Sequence, residues 1–459
     1  MSEGIRNKFK FKNPINIAIM NIAWPVLIEL ILSSVFGMID MMMLGNITDT
    51  NYAAAAVASV GVTNQPLFLG LSVVQALNVG GTAIIARYFG AGKKDQMENV
   101  TKHVLIISMS LALPLAILAF IYANDIMAFM GAEPATIAIG EKYFRIICVS
   151  YLFQSFNFAV TGSLRGIGET KVPMNINIRV NFMNVIGNAV LIYGLFGFPE
   201  LRIAGAAIST ALANFTASIL MVRYLMSGKS DLRFSFKNKF NFSKRTLKNL
   251  VTIGLPSAIE QLVMRTGIIL FVQVVSGLGT VVFAAHQIGM SILSLSFVIG
   301  QAFGISASAL VGKALGANKP DDAEKYAHNS SMMGSTSGVI VGIIMFLFAE
   351  MLVGLYSGDS AIIESASAAL RVAALIQPFQ ANQLIVAGSL RGAGDTRFPL
   401  VSTFIGVLGI RVVLANIFVR FFGLGLIGAW LAIAIDQFVR WILIRLRFRS
   451  GKWKTINLA

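Results

Sequence analysis

Long apolar runs separated by short polar breaks fill the sequence from end to end. A membrane-crossing α-helix needs roughly 20 mostly apolar residues, because the hydrocarbon core offers backbone amides no partner outside their own helix. The runs meet that length twelve times, at about 15–44, 53–80, 103–123, 137–161, 173–196, 203–226, 249–276, 280–307, 328–350, 364–387, 399–420 and 424–446. None shows the short alternation of a membrane barrel strand. The pattern predicts an all-α integral membrane protein of twelve transmembrane helices, six in each half.

The two halves are also written alike. "GSLRGIGETKVP" at 162–173 returns as "GSLRGAGDTRFP" at 388–399, an offset of 226 residues. At the same offset "QALNVGGTAIIARYFGAGKKDQME" from Gln75 answers "QAFGISASALVGKALGANKPDDAE" from Gln301. "PVLIEL" at Pro25 matches "PSAIEQ" at Pro256, aligning Glu29 with Glu260 at an offset of 231, and "IAGAAISTALANF" at Ile203 matches "LIGAWLAIAIDQF" at Leu426 at an offset of 223. An even number of spans returns the chain to its starting side, so the repeat predicts two like-oriented, pseudo-symmetric six-helix bundles, a parallel internal repeat. The expected organisation is an N-lobe over 1–226, a basic linker over 227–248, a C-lobe over 249–446 and a basic tail over 447–459. In the repeated block, two glycines and a Thr-X-X-Pro mark a turn between helices. Arg165 and Arg391 then stand near the headgroups, as gating residues or as topology anchors.

Composition agrees with a membrane chain: 56% hydrophobic residues, 13% charged and a mean hydropathy of +0.74. The formal charge of +16 is topological, since 29 of the 37 Lys and Arg fall on one side of the predicted spans. These include Arg6, Lys8, Lys10 and Lys12, then Arg87 to Lys102, the linker and the tail, whereas the opposite loops carry Asp49, Asp125, Glu133, Glu200 and Asp359. Both termini are expected in the cytoplasm of a multi-pass cell-membrane protein, and the charge implies no nucleic-acid partner. The charged N-terminal lead has no small-residue cleavage site behind it and is expected to be retained. One cysteine, Cys148, and three scattered histidines, His103, His286 and His328, argue against a metal centre. Without a GxSxG elbow, an HExxH helix or a Walker lysine the chain does not read as an enzyme, and any transport would draw on an ion gradient. No pore-filter signature favours the rival class, an ion channel.

At this point the sequence resembles the multidrug and toxic compound extrusion (MATE) family over essentially all twelve spans. The likeness rests on "FGMIDMMMLG" in the first span, "SLRGIGET" and "SLRGAGDT" after the fourth and tenth, and "GLGTVVFAAHQI" leading into the eighth. It implies export of amphiphilic, often cationic compounds by alternating access, driven by inward protons or sodium ions, through two lobes that rock about a central cavity. It implies no cofactor and no obligate protein partner. Details set the chain nearer the DinF-like than the NorM-like branch, and the runner-up is a lipid-linked precursor flippase of the same superfamily.

Ionisable groups inside spans are the first candidates for function, because burying a charge in lipid is costly. Asp40 heads them: its counterpart in the second half is Phe271, so the acid belongs to one lobe only. A carboxyl so placed is suited to take up and release a proton as its surroundings dry and wet. Asn184 and Asn188, four apart and hence on one helical face, together with Thr210, are expected to hydrogen-bond it or to coordinate a cation; asparagines that simply glue helices are the competing reading. The DinF-like branch resembles this face but has a second acid where Asn188 stands, and that departure favours proton over sodium coupling. The acids of the NorM-like branch fall on Met264 and Gln380. Glu29 and Glu260 occur in both halves and should each pair with a base, Arg265 being a candidate for Glu260; Glu260 is also a candidate for drawing cations into a cavity. Gln154 and Asn157 align with Gln380 and Gln383 as an amide pair in each lobe, and Phe36, Met41, Met42, Met43, Phe153 and Met264 are expected to supply adaptable apolar surface or simply core. Arg179, Arg371, Arg411 and Asp436 call for ion-pair partners that the sequence does not name.

Overall fold

The computed structural model describes residues 13–232, 234–235, 238, 240–456 and 458. Twelve long helices follow one another. The first six are α1 (Pro14–Gly45), α2 (Thr50–Gly90), α3 (Lys94–Ile121), α4 (Pro134–Gly166), α5 (Lys171–Tyr193) and α6 (Arg202–Met226). The second six are α7 (Lys244–Ser276), α8 (Thr280–Gly316), α9 (Pro320–Leu347), α10 (Ser360–Ala393), α11 (Arg397–Phe421) and α12 (Gly425–Arg449). Each expected span is met by one helix. Short helices at Ala123–Phe129 and Ala349–Gly354 follow α3 and α9, and their first residues again lie 226 apart. Among the described residues there is no strand. The N-terminal basic residues Arg6, Lys8, Lys10 and Lys12 lie outside the described residues.

Eleven of the twelve helices are long and apolar enough to cross a membrane. The twelfth, α5, has 23 residues; at 1.5 Å per residue that is about 35 Å, enough for a core of about 30 Å. It falls short only in polarity, because it carries Asn175, Asn177, Arg179, Asn181, Asn184 and Asn188. This is a helix whose polar face must be satisfied by protein.

The repeated block closes α4 and α10 in the same way. After α4, Gly168 at φ +86° donates its N–H to Arg165 O at 3.0 Å, and Glu169 N donates to Leu164 O at 3.0 Å. After α10, Gly394 at φ +89° and Asp395 repeat both bonds, to Arg391 O at 2.9 Å and Leu390 O at 2.8 Å. Each is a Schellman closure, which requires a left-handed residue that glycine adopts without strain. The acid that follows ties the turn down: Glu169 accepts from Tyr224 Oη and Ser230 Oγ, and Asp395 from Arg447 Nε at 2.7 Å.

The described chain forms two compact units. One comprises 28–85 and 93–251; the other comprises 13–27, 86–92 and 252–458. In the first, a core of Leu44, Ile47, Val60, Tyr143, Ile192 and Ile203 draws on α1, α2, α4, α5 and α6. In the second, Phe271, Leu293, Leu370, Trp430 and Ile433 belong to one apolar cluster. Residues 13–27 and 86–92, although written in the first half of the sequence, pack within this second unit. Ile19 and Ala23 meet Phe303 and Ala307, Ser306 Oγ donates to Ile19 O at 3.0 Å, and Asn329 Nδ2 donates to Asn16 Oδ1 at 3.1 Å. In the same unit a Cβ on Gly90 would run into Lys313 O and one on Gly316 into Arg87 O. All four positions correspond at the 226 offset, so the contact is reciprocal.

Candidate functional site

Asp40 lies in the last turns of α1, half-buried. Asn188 Nδ2 donates to its Oδ1 at 2.7 Å. One turn earlier on α5, Asn184 is best satisfied with its amide nitrogen toward Asp40, 3.2 Å from both carboxylate oxygens, and its oxygen accepting from Ser209 Oγ and Thr210 N. Ser209 Oγ also lies 2.9 Å from Asn184 O. α6 comes this close because α5 has Gly187 there, where a Cβ would strike Ser209 Oγ. Tyr193 Oη donates to Met43 O at 2.6 Å and fixes α5 against the end of α1. Asp40, Asn184, Asn188 and Thr210 therefore lie in one cluster.

Two further members had no sequence signal strong enough to find them. Tyr143 on α4 is buried within electrostatic reach of Asp40, and Ser209 is the hydroxyl that holds Asn184. A tyrosine in a long apolar helix reads as core, and Tyr143 also packs in the core around Leu44. Asn188 Oδ1, on the amide whose nitrogen holds the carboxylate, is buried without a hydrogen-bond partner. No Lys or Arg pairs with Asp40 among the described residues. The second half shows what this site would be without its chemistry. The positions matching Asp40, Tyr143, Asn184, Asn188, Ser209 and Thr210 are Phe271, Ala369, Ile410, Leu414, Ala432 and Ile433, and most of these belong to the apolar core of the second unit.

The conserved-by-repeat acids have a different environment. Glu29 accepts from Arg165 Nη2 at 3.0 Å and from Asn177 Nδ2 at 2.6 Å. Glu260 accepts from Arg391 Nη2 at 2.7 Å and Thr403 Oγ1 at 3.1 Å. Asn177 and Thr403 correspond at the 226 offset, so the triad is duplicated member for member. Arg265 is not the partner of Glu260. Five residues along a helix place it about 140° around the axis, and its side chain is exposed. Glu260 itself is 5% exposed. Its charge is committed to Arg391, so it offers no free carboxylate to attract a cation, although Oε2 has no hydrogen-bond partner.

The remaining candidates divide between the units. Phe36 packs edge-on to Phe182 with centroids 5.6 Å apart, and Met43 lies against the core around Leu44. Phe153 meets Phe215 edge-on at 5.1 Å, and their counterparts Phe379 and Phe438 do the same at 5.2 Å. Asn157 is a bridge between α4 and α6, donating to Asn214 O at 3.0 Å and accepting from Ser218 Oγ at 2.9 Å. Its counterpart Gln383 is buried with Oε1 unpaired, as is Gln380; Gln154 and Met264 are half-buried. Of the charges without named partners, Arg411 pairs with Asp436 and Arg371 with Glu350 at 2.8 Å, while Arg179 is exposed. Among the described residues, no group of three or more His, Cys, Asp or Glu is arranged to hold a metal.

Comparison with known proteins follows the same outline. The family model MatE matches residues 25–190 and 256–417, one match in each half. A probable multidrug resistance protein NorM of Thermotoga maritima is 30% identical over 438 residues, 95% of this chain and 92% of its own length. An uncharacterized transporter YisQ of Bacillus subtilis is 28% identical over 461 residues, covering 100% of both chains. Among solved structures, a MATE in the bent conformation superposes with a TM-score of 0.87 at 23% identity, covering 98% of this chain and 99% of its own. That likeness carries the fold alone.

Proposed function

This chain belongs to the MATE family of membrane transporters, and from that premise we propose that it is a secondary multidrug exporter in which Asp40 couples inward protons to outward cargo. The cargo class is small amphiphilic compounds, often cationic, moved by alternating access across the cell membrane with both chain termini in the cytoplasm. No cofactor takes part, and no obligate protein partner is implied.

The observation that carries this reading is the setting of Asp40. It is the acid of a polar cluster built from α1, α5 and α6, held by two neutral amides and not neutralised by a basic side chain among the described residues. The amide N–H groups of Asn184 and Asn188 serve as donors to the ionised carboxylate, and a turn of the Asn188 amide would offer its unpaired oxygen to the protonated one. Both states therefore have partners, as a site that cycles a proton requires. Sodium needs several oxygen ligands and is held best by more than one negative charge. Here Asn188 stands where a second acid would serve, and Asn184 and Asn188 both turn nitrogen toward the carboxylate. Met264 and Gln380, at the positions of NorM-like acids, add no charge.

The test is transport in proteoliposomes under separately imposed proton and sodium gradients. Wild-type protein is expected to export cationic dye under the proton gradient alone. Asp40→Asn is expected to reach the membrane at normal level and to lose active efflux. Export driven by sodium alone moves the coupling ion to sodium, and wild-type efflux in Asp40→Asn removes Asp40 from the mechanism.

A further inference from the structure

The second unit buries a separate charged group that the repeat does not supply. On α11, Arg411 Nε and Nη2 donate to Asp436 Oδ2 at 2.9 and 2.5 Å. One turn past Asp436 on α12, Arg440 Nε lies 3.0 Å from Asp436 Oδ1, within ion-pair distance but not aligned as a hydrogen bond. Arg440 Nη2 donates to Gln437 Oε1 at 2.8 Å. The side chains of Arg411, Arg440 and Asp436 are 9%, 4% and 0% exposed. Gly406 makes the space, since a Cβ there would strike Asp436 Oδ1 and Arg440 Cγ. At the matching positions the first half has Val185, Ala213 and Ala217. A six-helix bundle of this kind therefore forms without these charges.

The charges do not balance. Asp436 offsets one guanidinium. The other acid that acts on Arg440 is Glu260, which is already held by Arg391. Glu260 and Asp436 against Arg391, Arg411 and Arg440 leave one positive charge inside membrane-spanning helices, where an unpaired charge is costly. Donors are also in excess: Gln437 Nε2, 1% exposed, has no acceptor.

We propose that Arg411, Arg440 and the Gln437 amide form a binding site for one monovalent anion, either chloride from solution or the carboxylate of an amphiphilic cargo. The bound anion restores neutrality and accepts the donor that the protein leaves over. This inference concerns the second unit and does not depend on Asp40, so it survives or fails apart from proton coupling.

The test uses purified full-length protein. Wild type is expected to melt several degrees higher in chloride or bromide than in gluconate, and bromide-soaked crystals are expected to show an anomalous peak beside Arg411 and Arg440. Gln437→Glu supplies the missing charge internally. It is expected to melt in gluconate as wild type does in chloride and to show no further shift with chloride, a rescue that a merely structural ion pair would not give. Decanoate in chloride-free buffer separates the two sources: stabilisation by decanoate and not by chloride assigns the site to cargo carboxylates. Equal melting of wild type in chloride, gluconate and decanoate, with no bromide peak, overturns the proposal.

Discussion

At the scale of single residues, the same side chain type has opposite meanings depending on what the fold sets beside it. Asp40 has amides and hydroxyls, whereas Glu29 and Glu260 have arginines. Glu29 is buried and Arg165 partly so, and removing one partner of a fully buried pair costs about 3–5 kcal/mol because the other charge is left unpaired, an upper bound here, whereas removing both is often nearly neutral. Arg165→Met is therefore expected to lower the melting temperature and the membrane level sharply. Glu29→Leu combined with Arg165→Met is expected to recover most of both and to export normally, as measured by thermal unfolding and dye efflux. Loss of export in a well-folded double variant would make the pair a gate and not an anchor. The sequence made the acids legible through the repeat but not their partners. Arg265 was near in sequence, while Arg391 was near only once α10 had folded beside α7.

Among elements, glycine positions decide which helices touch. Gly334, Gly338 and Gly342 recur every four residues along one face of α9. A Cβ on Gly338 would come within 2.9 Å of Gln377 O, and one on Gly342 within 2.6 Å of Ala374 O, both on α10. Membrane helices pack through such small-residue stripes, because lipid gives no hydrophobic drive to bring them together. Gly342→Val is expected to separate α9 from α10 locally and lower the melting temperature by several degrees. Gly37→Ala, with open space around it, is expected to leave melting unchanged. The helices themselves were readable from hydropathy to within a few residues. Even α5 was readable, because flanking turns and the repeat compensated for its polar face. Which faces meet was not readable, since the spans other than α5 are mostly apolar nearly all round and lack the single stripe that orients a water-soluble helix.

At the scale of the whole molecule, duplication built the frame and divergence placed the chemistry. Schellman turns, Glu–Arg triads, edge-on phenylalanine pairs and short helices occur twice. Among the described residues the acid cluster occurs once, in the first unit, and the double-arginine cluster once, in the second. Phe271→Asp in an Asp40→Asn background is therefore expected not to restore proton-driven efflux. The new carboxyl would sit in an apolar core with Ile433 and Ala432 instead of Thr210 and Ser209, and should lower thermal stability as well. Restored efflux in proteoliposomes would show that the two halves are interchangeable as coupling units.

The sequence by itself determined the class of protein, the number and limits of its helices, the repeat and the singular acid. Each follows from local chemistry: apolar length, turn residues and the cost of a charge in lipid. Only the tertiary structure decided that Asp40 meets Asn184 and Asn188, that Glu260 answers to Arg391, and that Asp436 is shared by two arginines. Those contacts join residues that are mostly far apart along the chain, and their geometry depends on how helices of nearly uniform apolar surface rotate and approach. Apolar pattern carries no information about that rotation. Packing of glycines, serines and paired charges supplies it.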